Sequence, residues 1–159
     1  MAGIYVHVPF CSQACHYCDF HFSTSLKNVQ SVVDCIKKEL ILQKNYLSGN
    51  KVNTIYFGGG TPSLLNQEHI LDIITVIKNN FKLDKALEFT IEVNPEDVSL
   101  DRLENWHKCG INRISIGIQS FIDRDLRFMN RSHTQKQSIV ALQLIKQSSI
   151  KNINADLMY

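Results

Sequence analysis

Three of the five cysteines in this 159-residue chain, Cys11, Cys15 and Cys18, lie close together in a C-x3-C-x2-C spacing. A loop of this length allows three thiolates to converge on one inorganic centre. Iron–sulfur clusters are usually held by four cysteines. A cluster held by only three therefore has one iron free for an outside ligand, just as a three-ligand zinc site keeps an open position. The spacing predicts a metal centre that binds a small molecule.

The spacing by itself is also compatible with a zinc site or with no metal at all. A structural zinc ion needs a fourth ligand, and His7, His16 or His21 is near enough in the sequence to provide it. Three unrelated buried cysteines also satisfy the pattern, whereas the odd cysteine count argues against disulfide staples. The remaining cysteines, Cys35 and Cys109, are expected to be small buried apolar residues.

The residues around the three cysteines resemble a known family. The string Tyr-Val-His-Val-Pro-Phe-Cys at 5–11, followed by Cys-His-Tyr-Cys-Asp-Phe at 15–20, is similar to the radical S-adenosylmethionine (SAM) superfamily. That resemblance implies a 4Fe–4S cluster on Cys11, Cys15 and Cys18, with SAM bound to the fourth iron. For Tyr17 and Phe20, the expected role is to shield the cluster and stack on adenine; the alternative is that they only pack the loop.

A glycine run and a charged strand residue extend the resemblance. Gly58–Gly60, followed by Thr61, allows backbone groups to approach a ligand closely, although a flexible turn has the same composition. No Gly-Lys-Ser/Thr follows, which distinguishes the run from a phosphate-binding loop. Glu92 lies in an apolar strand and needs a partner there. The resemblance implies that Gly59, Gly60 and Thr61 contact SAM and that Glu92 accepts from its ammonium group; a salt bridge to Lys or Arg is the alternative.

Three further polar residues complete the set. Gln119 ends a predicted strand and is suited to bind a ribose or carboxylate, or to cap a helix. Arg131 suits bidentate recognition of a carboxylate, whereas an isolated arginine is ordinarily a solvated surface residue. Asp156 ends the last predicted strand and is suited to accept two ribose hydroxyls, or to cap a following helix. The resemblance implies that all three contact SAM.

The order of these elements is most similar to the coproporphyrinogen III oxidase family within the superfamily. Two departures favour its heme-chaperone subgroup over its true oxidases, which carry another cysteine where this chain has Phe20 and an extension before the cluster loop. The resemblance implies heme or porphyrin as a ligand, an acceptor protein for heme, and an electron donor. Oxidative decarboxylation of coproporphyrinogen is the alternative activity.

The elements that must position these residues follow from hydrophobic patterning. Short β-branched and aromatic runs alternate with segments of helical period, which is typical of parallel strands joined by helices. Ser99 and Gly110 bound one predicted helix, which carries Leu100, Leu103 and Trp106 on one side. Thr134 with Gln137 forms a capping box at the start of another. The predicted strands cover 4–8, 54–57, 89–93, 113–118 and 150–156. The other predicted helices are marked by Val29, Val33, Ile36 and Leu40; by Ile70, Ile73, Ile74, Ile77 and Phe81; and by a short segment within 120–129.

Parallel strands end at one edge of a sheet, where such folds place their active sites. The fold class expected is therefore α/β, a partial, open TIM-like barrel of the radical SAM type with about five parallel strands. Five strands cannot close an eight-stranded barrel. We expect residues 1–159 to be the N-terminal portion of a radical SAM core, without its sixth strand and its accessory C-terminal domain.

Composition excludes several other classes of function. Seventeen Lys and Arg against fifteen Asp and Glu leave a net charge of +2, and no basic stripe is present, which disfavours nucleic acid as a partner. No apolar run reaches the roughly 20 residues that a membrane-spanning helix requires, and the first residues lack a secretory pattern. A cytoplasmic protein without membrane insertion is expected.

Overall fold

The computed structural model describes residues 2–159. Its centre is a sheet of five parallel strands in sequence order. Parallel neighbours require a long crossover, and each crossover here contains a helix. The strands are β1 (Ala2–Val8), β2 (Val52–Gly59), β3 (Leu83–Val93), β4 (Arg113–Gln119) and β5 (Asn152–Leu157). The helices are α1 (Val29–Leu42), α2 (Gln67–Asn80), α3 (Leu100–Cys109), α4 (Asp123–Phe128) and α5 (Gln135–Gln147). This open α/β sheet confirms the predicted fold class.

The sheet has two chemically different faces because side chains alternate along each strand. The helix-covered face carries the apolar residues, which form one core with the apolar stripes of the helices. Its most buried strand residues include Ile55, Phe57, Ile91, Ile114 and Ile116. The opposite side, which we call the polar face, carries Tyr5, His7, Tyr56, Glu92, Ser115 and Asp156. Strand register pairs Tyr5 with Tyr56 and Glu92 with Ser115, so polar groups from neighbouring strands meet on that face.

Three helix boundaries follow the capping signals in the sequence. The Ser99 side chain accepts a hydrogen bond from the backbone N–H of Arg102 at 3.3 Å, and Gly110 ends α3 with a φ of 99°. Thr134 and Gln137 form the capping box that begins α5. These local predictions are confirmed. The sequence could predict them because each cap depends only on residues three or four positions away.

Other details of the sequence prediction are wrong. Strand β3 begins at Leu83, well before the predicted start, because its first half is largely exposed and carries no apolar run. Phe81 lies outside α2 as its C-cap, and Leu100 is 56% exposed although its spacing predicts a place on the buried side of α3. Cys35 is exposed, contrary to prediction, whereas Cys109 is buried as predicted.

Two short 3-10 turns connect strands to helices at the carboxyl edge of the sheet, where sequence analysis predicts the site. Each begins with a proline soon after a strand: Pro62–Leu64 follows β2, and Pro95–Asp97 follows β3. Because proline fixes φ and offers no N–H, it is well suited to leave a strand and enter a helical turn.

The helices of residues 2–159 include none that is both long and apolar enough to span a membrane.

Candidate functional site

A cavity of about 200 Å³ lies at the carboxyl ends of the strands. Its lining includes parts of the cysteine loop, the exits of β2, β3 and β4, the segment before α5, and the end of β5. All eleven site residues predicted from the sequence line it: Cys11, Cys15, Tyr17, Cys18, Gly59, Gly60, Thr61, Glu92, Gln119, Arg131 and Asp156. The fold therefore brings together residues that are up to 145 positions apart in the chain.

The three clustered cysteines are free thiols, each partly buried. Burial raises the pKa of Cys11, and the neighbouring Cys18 and Cys15 raise it further, whereas a hydrogen bond with Thr61 and the charge of Arg131 lower it. The thiols thus lie close enough to interact electrostatically. Within residues 2–159, no group of three or more His, Cys, Asp or Glu side chains is arranged in a metal-ligand geometry.

One side of the cysteine loop lies against the glycine run. The backbone N–H of Thr61 donates to the Phe10 carbonyl at 2.6 Å, and that of Gly60 donates to the Val8 carbonyl at 2.8 Å. A Cβ atom at Gly60 would lie only 2.5 Å from the Phe10 oxygen. Glycine is therefore required at this position so that the β2 exit can approach the residue just before Cys11.

On the other side of the cavity, Arg131 makes hydrogen bonds with several elements. Its Nη1 donates to Cys15 Sγ at 3.5 Å and to Tyr17 Oη at 3.3 Å, and its Nη2 donates to Asn94 Oδ1 at 2.7 Å. Nη2 also donates to the Gly117 carbonyl at 3.0 Å. The Nε atom is buried without a hydrogen-bond partner. Since buried donors are nearly always paired, this atom is a candidate donor to a bound ligand.

Burial also changes the acidity of side chains at the cavity. It raises the pKa of Tyr17 to about 12, so this phenol stays protonated at neutral pH. It also raises the pKa of Glu92, an effect that hydrogen bonds from Tyr56 and Gly59 oppose. The two bonds measure 2.8 Å from Tyr56 Oη and 3.1 Å from the Gly59 backbone N–H. The charge of the nearby Asp156 raises the pKa of Glu92 further.

Glu92 has no ion-pair partner among the lysines and arginines of the part of the chain that the structure describes. The salt bridge to Lys or Arg that was the alternative role for this residue is therefore not formed. The carboxylate of Asp156 accepts from Asn154 Nδ2 at 2.7 Å and from Ser115 Oγ at 3.3 Å. Two carboxylates thus line the cavity with neutral donors as their hydrogen-bond partners, an arrangement suited to bind a cation or hydroxyl groups.

Gln119 adopts an unusual backbone conformation at the end of β4. Its φ is 64°, in the left-handed region, which costs free energy for a residue other than glycine. The Gln119 carbonyl accepts from the Met158 N–H at 2.9 Å, and a Cβ atom at Gly117 would lie 2.9 Å from Gln119 Nε2. The end of β5 therefore holds the Gln119 backbone, and Gly117 leaves room for the Gln119 side-chain amide at the cavity.

The three histidines considered as a fourth zinc ligand are absent from the cavity lining of the described residues. His16 Nδ1 hydrogen-bonds with the Phe128 carbonyl at 2.8 Å. His7 Nδ1 lies 3.3 Å from Tyr5 Oη, and His7 Nε2 lies 3.5 Å from the His21 carbonyl. No observation supports a zinc site.

Comparison with known proteins identifies the family. The model of the radical SAM superfamily matches residues 5–159, nearly the whole chain. The chain belongs to the radical SAM superfamily. The heme chaperones HemW of Buchnera aphidicola (subsp. Schizaphis graminum) and Escherichia coli K12 are each 35% identical over 99% of this chain. The alignments cover 42% of each relative, so the chain spans about two fifths of their length.

The fold of this chain also matches a solved structure. Coproporphyrinogen III oxidase (HemN) from Escherichia coli, described as a radical SAM enzyme, superposes with a TM-score of 0.89 and is 28% identical. The match covers 99% of this chain and 37% of that chain. The open sheet of this radical SAM chain is therefore the arrangement found in HemN.

Membership of the radical SAM superfamily implies a 4Fe–4S cluster and SAM. The residues of the cavity fit these groups chemically. Three thiols suit iron as ligands, the unpartnered Arg131 Nε suits a carboxylate, and the carboxylate of Glu92 suits an ammonium group. The individual contacts stay predictions.

Sequence analysis missed Asn94. This residue lines the cavity, accepts from Arg131 through Oδ1, and lies with Nδ2 3.5 Å from Thr61 Oγ1. Thr61 in turn lowers the pKa of Cys11. Asn94 thus connects the polar groups on the two sides of the cavity. The available signal was its position directly after β3, at the edge of the sheet where the other site residues lie.

Proposed function

We propose that Cys11, Cys15 and Cys18 hold a 4Fe–4S cluster whose fourth iron binds SAM. The observation that carries this proposal is the shared cavity, in which three thiols lie beside an arginine and two carboxylates. When bound, these groups supply one-electron reductive cleavage of the SAM sulfonium. The contribution of the chain is to bind and orient SAM and to shield the site from water.

The side chains at the cavity suit different parts of SAM. Arg131, with its unpartnered Nε, binds the carboxylate of the methionine part. Gly59, Gly60, Thr61 and Glu92 bind the amino group, for which Glu92 supplies a negative charge in a partly buried setting. Gln119 and Asp156 hydrogen-bond with the ribose hydroxyls. Tyr17, a phenol that stays neutral, covers the cluster and packs against adenine.

For the protein as a whole we propose a heme chaperone that binds heme and transfers it to an acceptor protein. Support comes from the HemW relatives and from Phe20, which occupies the position where the oxidases of this family carry a further cysteine. An electron donor reduces the cluster. Since the chain matches about two fifths of those relatives, we also propose that a sixth strand and an accessory domain complete the protein.

The second candidate is oxygen-independent coproporphyrinogen III oxidase. The observation in its favour is the TM-score of 0.89 with HemN. The two functions differ in a measurable way, because a chaperone binds heme stably and an oxidase decarboxylates coproporphyrinogen. Heme titration followed by absorbance, beside a decarboxylation assay under anaerobic reducing conditions, separates them. Decarboxylation without stable heme binding would reverse the order of the two candidates.

The cluster assignment is tested with a matched pair of cysteine variants. Cys15→Ala removes a proposed ligand, whereas Cys35→Ala removes an exposed thiol on α1. After anaerobic reconstitution with iron and sulfide, we expect wild type and Cys35→Ala to contain four iron atoms per chain, as a 4Fe–4S cluster requires. Cys15→Ala should lose most of this iron and the broad visible absorbance. A Cys15→Ala protein that keeps a full cluster contradicts the proposal.

A further inference from the structure

The segment between α4 and α5 holds the middle of the cysteine loop. The backbone N–H of His16 donates to the Met129 carbonyl at 3.1 Å, and His16 Nδ1 hydrogen-bonds with the Phe128 carbonyl at 2.8 Å. Gln13 Nε2 donates to the Asn130 carbonyl at 3.0 Å and to Asn130 Oδ1 at 2.6 Å. These contacts join residues more than 110 positions apart in the chain.

Asn130 is the centre of this contact. Its Nδ2 donates to the Ala14 carbonyl at 2.6 Å, so the side chain both donates to the loop and accepts from it. Its φ is 58°, in the left-handed region that asparagine tolerates better than most residues. This conformation and the amide group together allow one residue to hydrogen-bond with both Gln13 and Ala14.

Two backbone hydrogen bonds hold the ends of the loop. The N–H of Cys11 donates to the Ser23 carbonyl at 3.1 Å, and the N–H of Ser23 donates to the Pro9 carbonyl at 2.8 Å. Within the loop, the Cys18 N–H donates to the Cys15 carbonyl at 3.1 Å. Among the described residues, every hydrogen bond that joins residues 13–16 to a segment outside the loop goes to residues 128–131. The hydrogen bonds that hold the Cys15 part of the loop against the rest of the protein therefore come from this segment.

We propose that Asn130 is a positioning residue that fixes the Cys15 part of the loop for cluster binding. The inference rests on the proposed function, since it takes Cys15 as a cluster ligand. Residues that orient metal ligands typically change metal affinity by about 10- to 100-fold when they are removed. Arg131 follows Asn130 directly and contacts Cys15 and Tyr17. The same segment therefore also orients Arg131, which we propose donates hydrogen bonds to the carboxylate of SAM.

The test compares three variants of the intact protein after anaerobic reconstitution. Asn130→Gly removes both side-chain hydrogen bonds but still permits the left-handed backbone conformation. Asn130→Ala removes the same hydrogen bonds and also disfavours that conformation, because alanine has a Cβ atom. Asn130→Asp keeps an acceptor for Gln13 and removes the donor to Ala14. Ser48→Ala is the control, because Ser48 also has a positive φ of 49° but lies in an exposed turn far along the chain from the loop.

The main measurement is the rate at which an iron chelator removes the cluster, followed by absorbance. We expect Asn130→Gly and Asn130→Ala to lose iron about tenfold faster than wild type, and Asn130→Asp to lose it at an intermediate rate. Ser48→Ala should match wild type. The electron paramagnetic resonance spectrum of the reduced cluster with SAM should change in the Asn130 variants and stay constant in the control.

The possible outcomes separate the two proposals. If wild type assembles no cluster, the proposed function fails and the role of Asn130 falls with it. A wild type that assembles a cluster, with Asn130→Gly keeping iron at the wild-type rate, overturns the role of Asn130 alone. Thermal unfolding is measured in parallel. If the rate of iron loss rises in proportion to the fall in unfolding temperature, and does so to the same degree in Asn130→Gly and Ser48→Ala, general stability is the cause. The inference is then overturned.

Discussion

The two faces of the sheet follow different physical rules although the same strands build both. Ile91 and Glu92 are neighbours on β3, yet Ile91 is fully buried under helices while Glu92 lines the cavity and accepts two hydrogen bonds. Burial of apolar area stabilises the first face, and specific polar contacts organise the second. A shift of one residue in register would exchange them. Stability and chemistry are thus separated by strand alternation, over a distance of one residue.

The largest effect is expected on the helix-covered face. Ile91→Ala should lower the free energy of unfolding by about 2–5 kcal/mol, because it removes buried methyl groups and leaves a cavity. Chemical denaturation measures this loss. Ile91→Val, which keeps most of the volume, should cost only about 0.5–1.5 kcal/mol. A loss below about 1 kcal/mol for Ile91→Ala would show that this face does not carry the stability.

The next effect is expected one residue further along, on the polar face. Glu92→Gln keeps the shape of the side chain and removes its charge, so SAM binding should weaken about tenfold or more, since hydrogen bonds to charged groups contribute roughly 1.5–3 kcal/mol. The free energy of unfolding should change less than in Ile91→Ala, because burial already disfavours this charge and raises its pKa.

Isothermal titration of the reconstituted protein with SAM measures the effect of Glu92→Gln. Glu88→Gln is the control, because Glu88 lies on the same face of β3 but is exposed and outside the cavity. Equal affinity for SAM in the Glu92 and Glu88 variants would remove Glu92 from the proposed ligand set. It would also weaken the contrast between the two faces.

The smallest effect concerns pH and a buried histidine beside the cavity. Burial lowers the pKa of His133, and Arg131 lowers it further, whereas the Ile118 carbonyl, Glu96 and Asp123 oppose this change. A histidine whose pKa is lower in the folded state stabilises the fold above its unfolded pKa of about 6.5. This contribution is lost as the pH falls towards the folded pKa, because the unfolded chain then binds more protons.

Thermal unfolding between pH 7.5 and 5, a range of roughly one pH unit or more on each side of the unfolded histidine pKa, tests this prediction. The unfolding temperature of His133→Gln should fall less on acidification than that of wild type. His107→Gln, at an exposed position of α3, is the matched control. An identical pH dependence in wild type and His133→Gln would show that His133 does not contribute to acid sensitivity.

Local signals explain why much of the fold was predictable. The caps at Ser99, Gly110 and Thr134 need only nearby residues, and alternating apolar residues define the strands. The position of the candidate site was also predictable, because parallel strands end at one edge of the sheet and most of the polar site residues lie at or just after strand ends. Asn94 was missed because its position after a strand, although a signal, does not by itself distinguish an asparagine that hydrogen-bonds with Arg131 from one that begins a turn.

The sequence by itself determined the parallel α/β sheet, the order of its elements and which cysteines belong to the candidate site. Periodicity, helix caps and the cysteine spacing all depend on residues that are close together in the chain. Only the tertiary structure decided how the cysteine loop is held. Asn130 and Gln13 are 117 positions apart, and their hydrogen bond exists only after the strands have paired. Contacts between distant segments depend on the positions of whole elements, which no local pattern encodes.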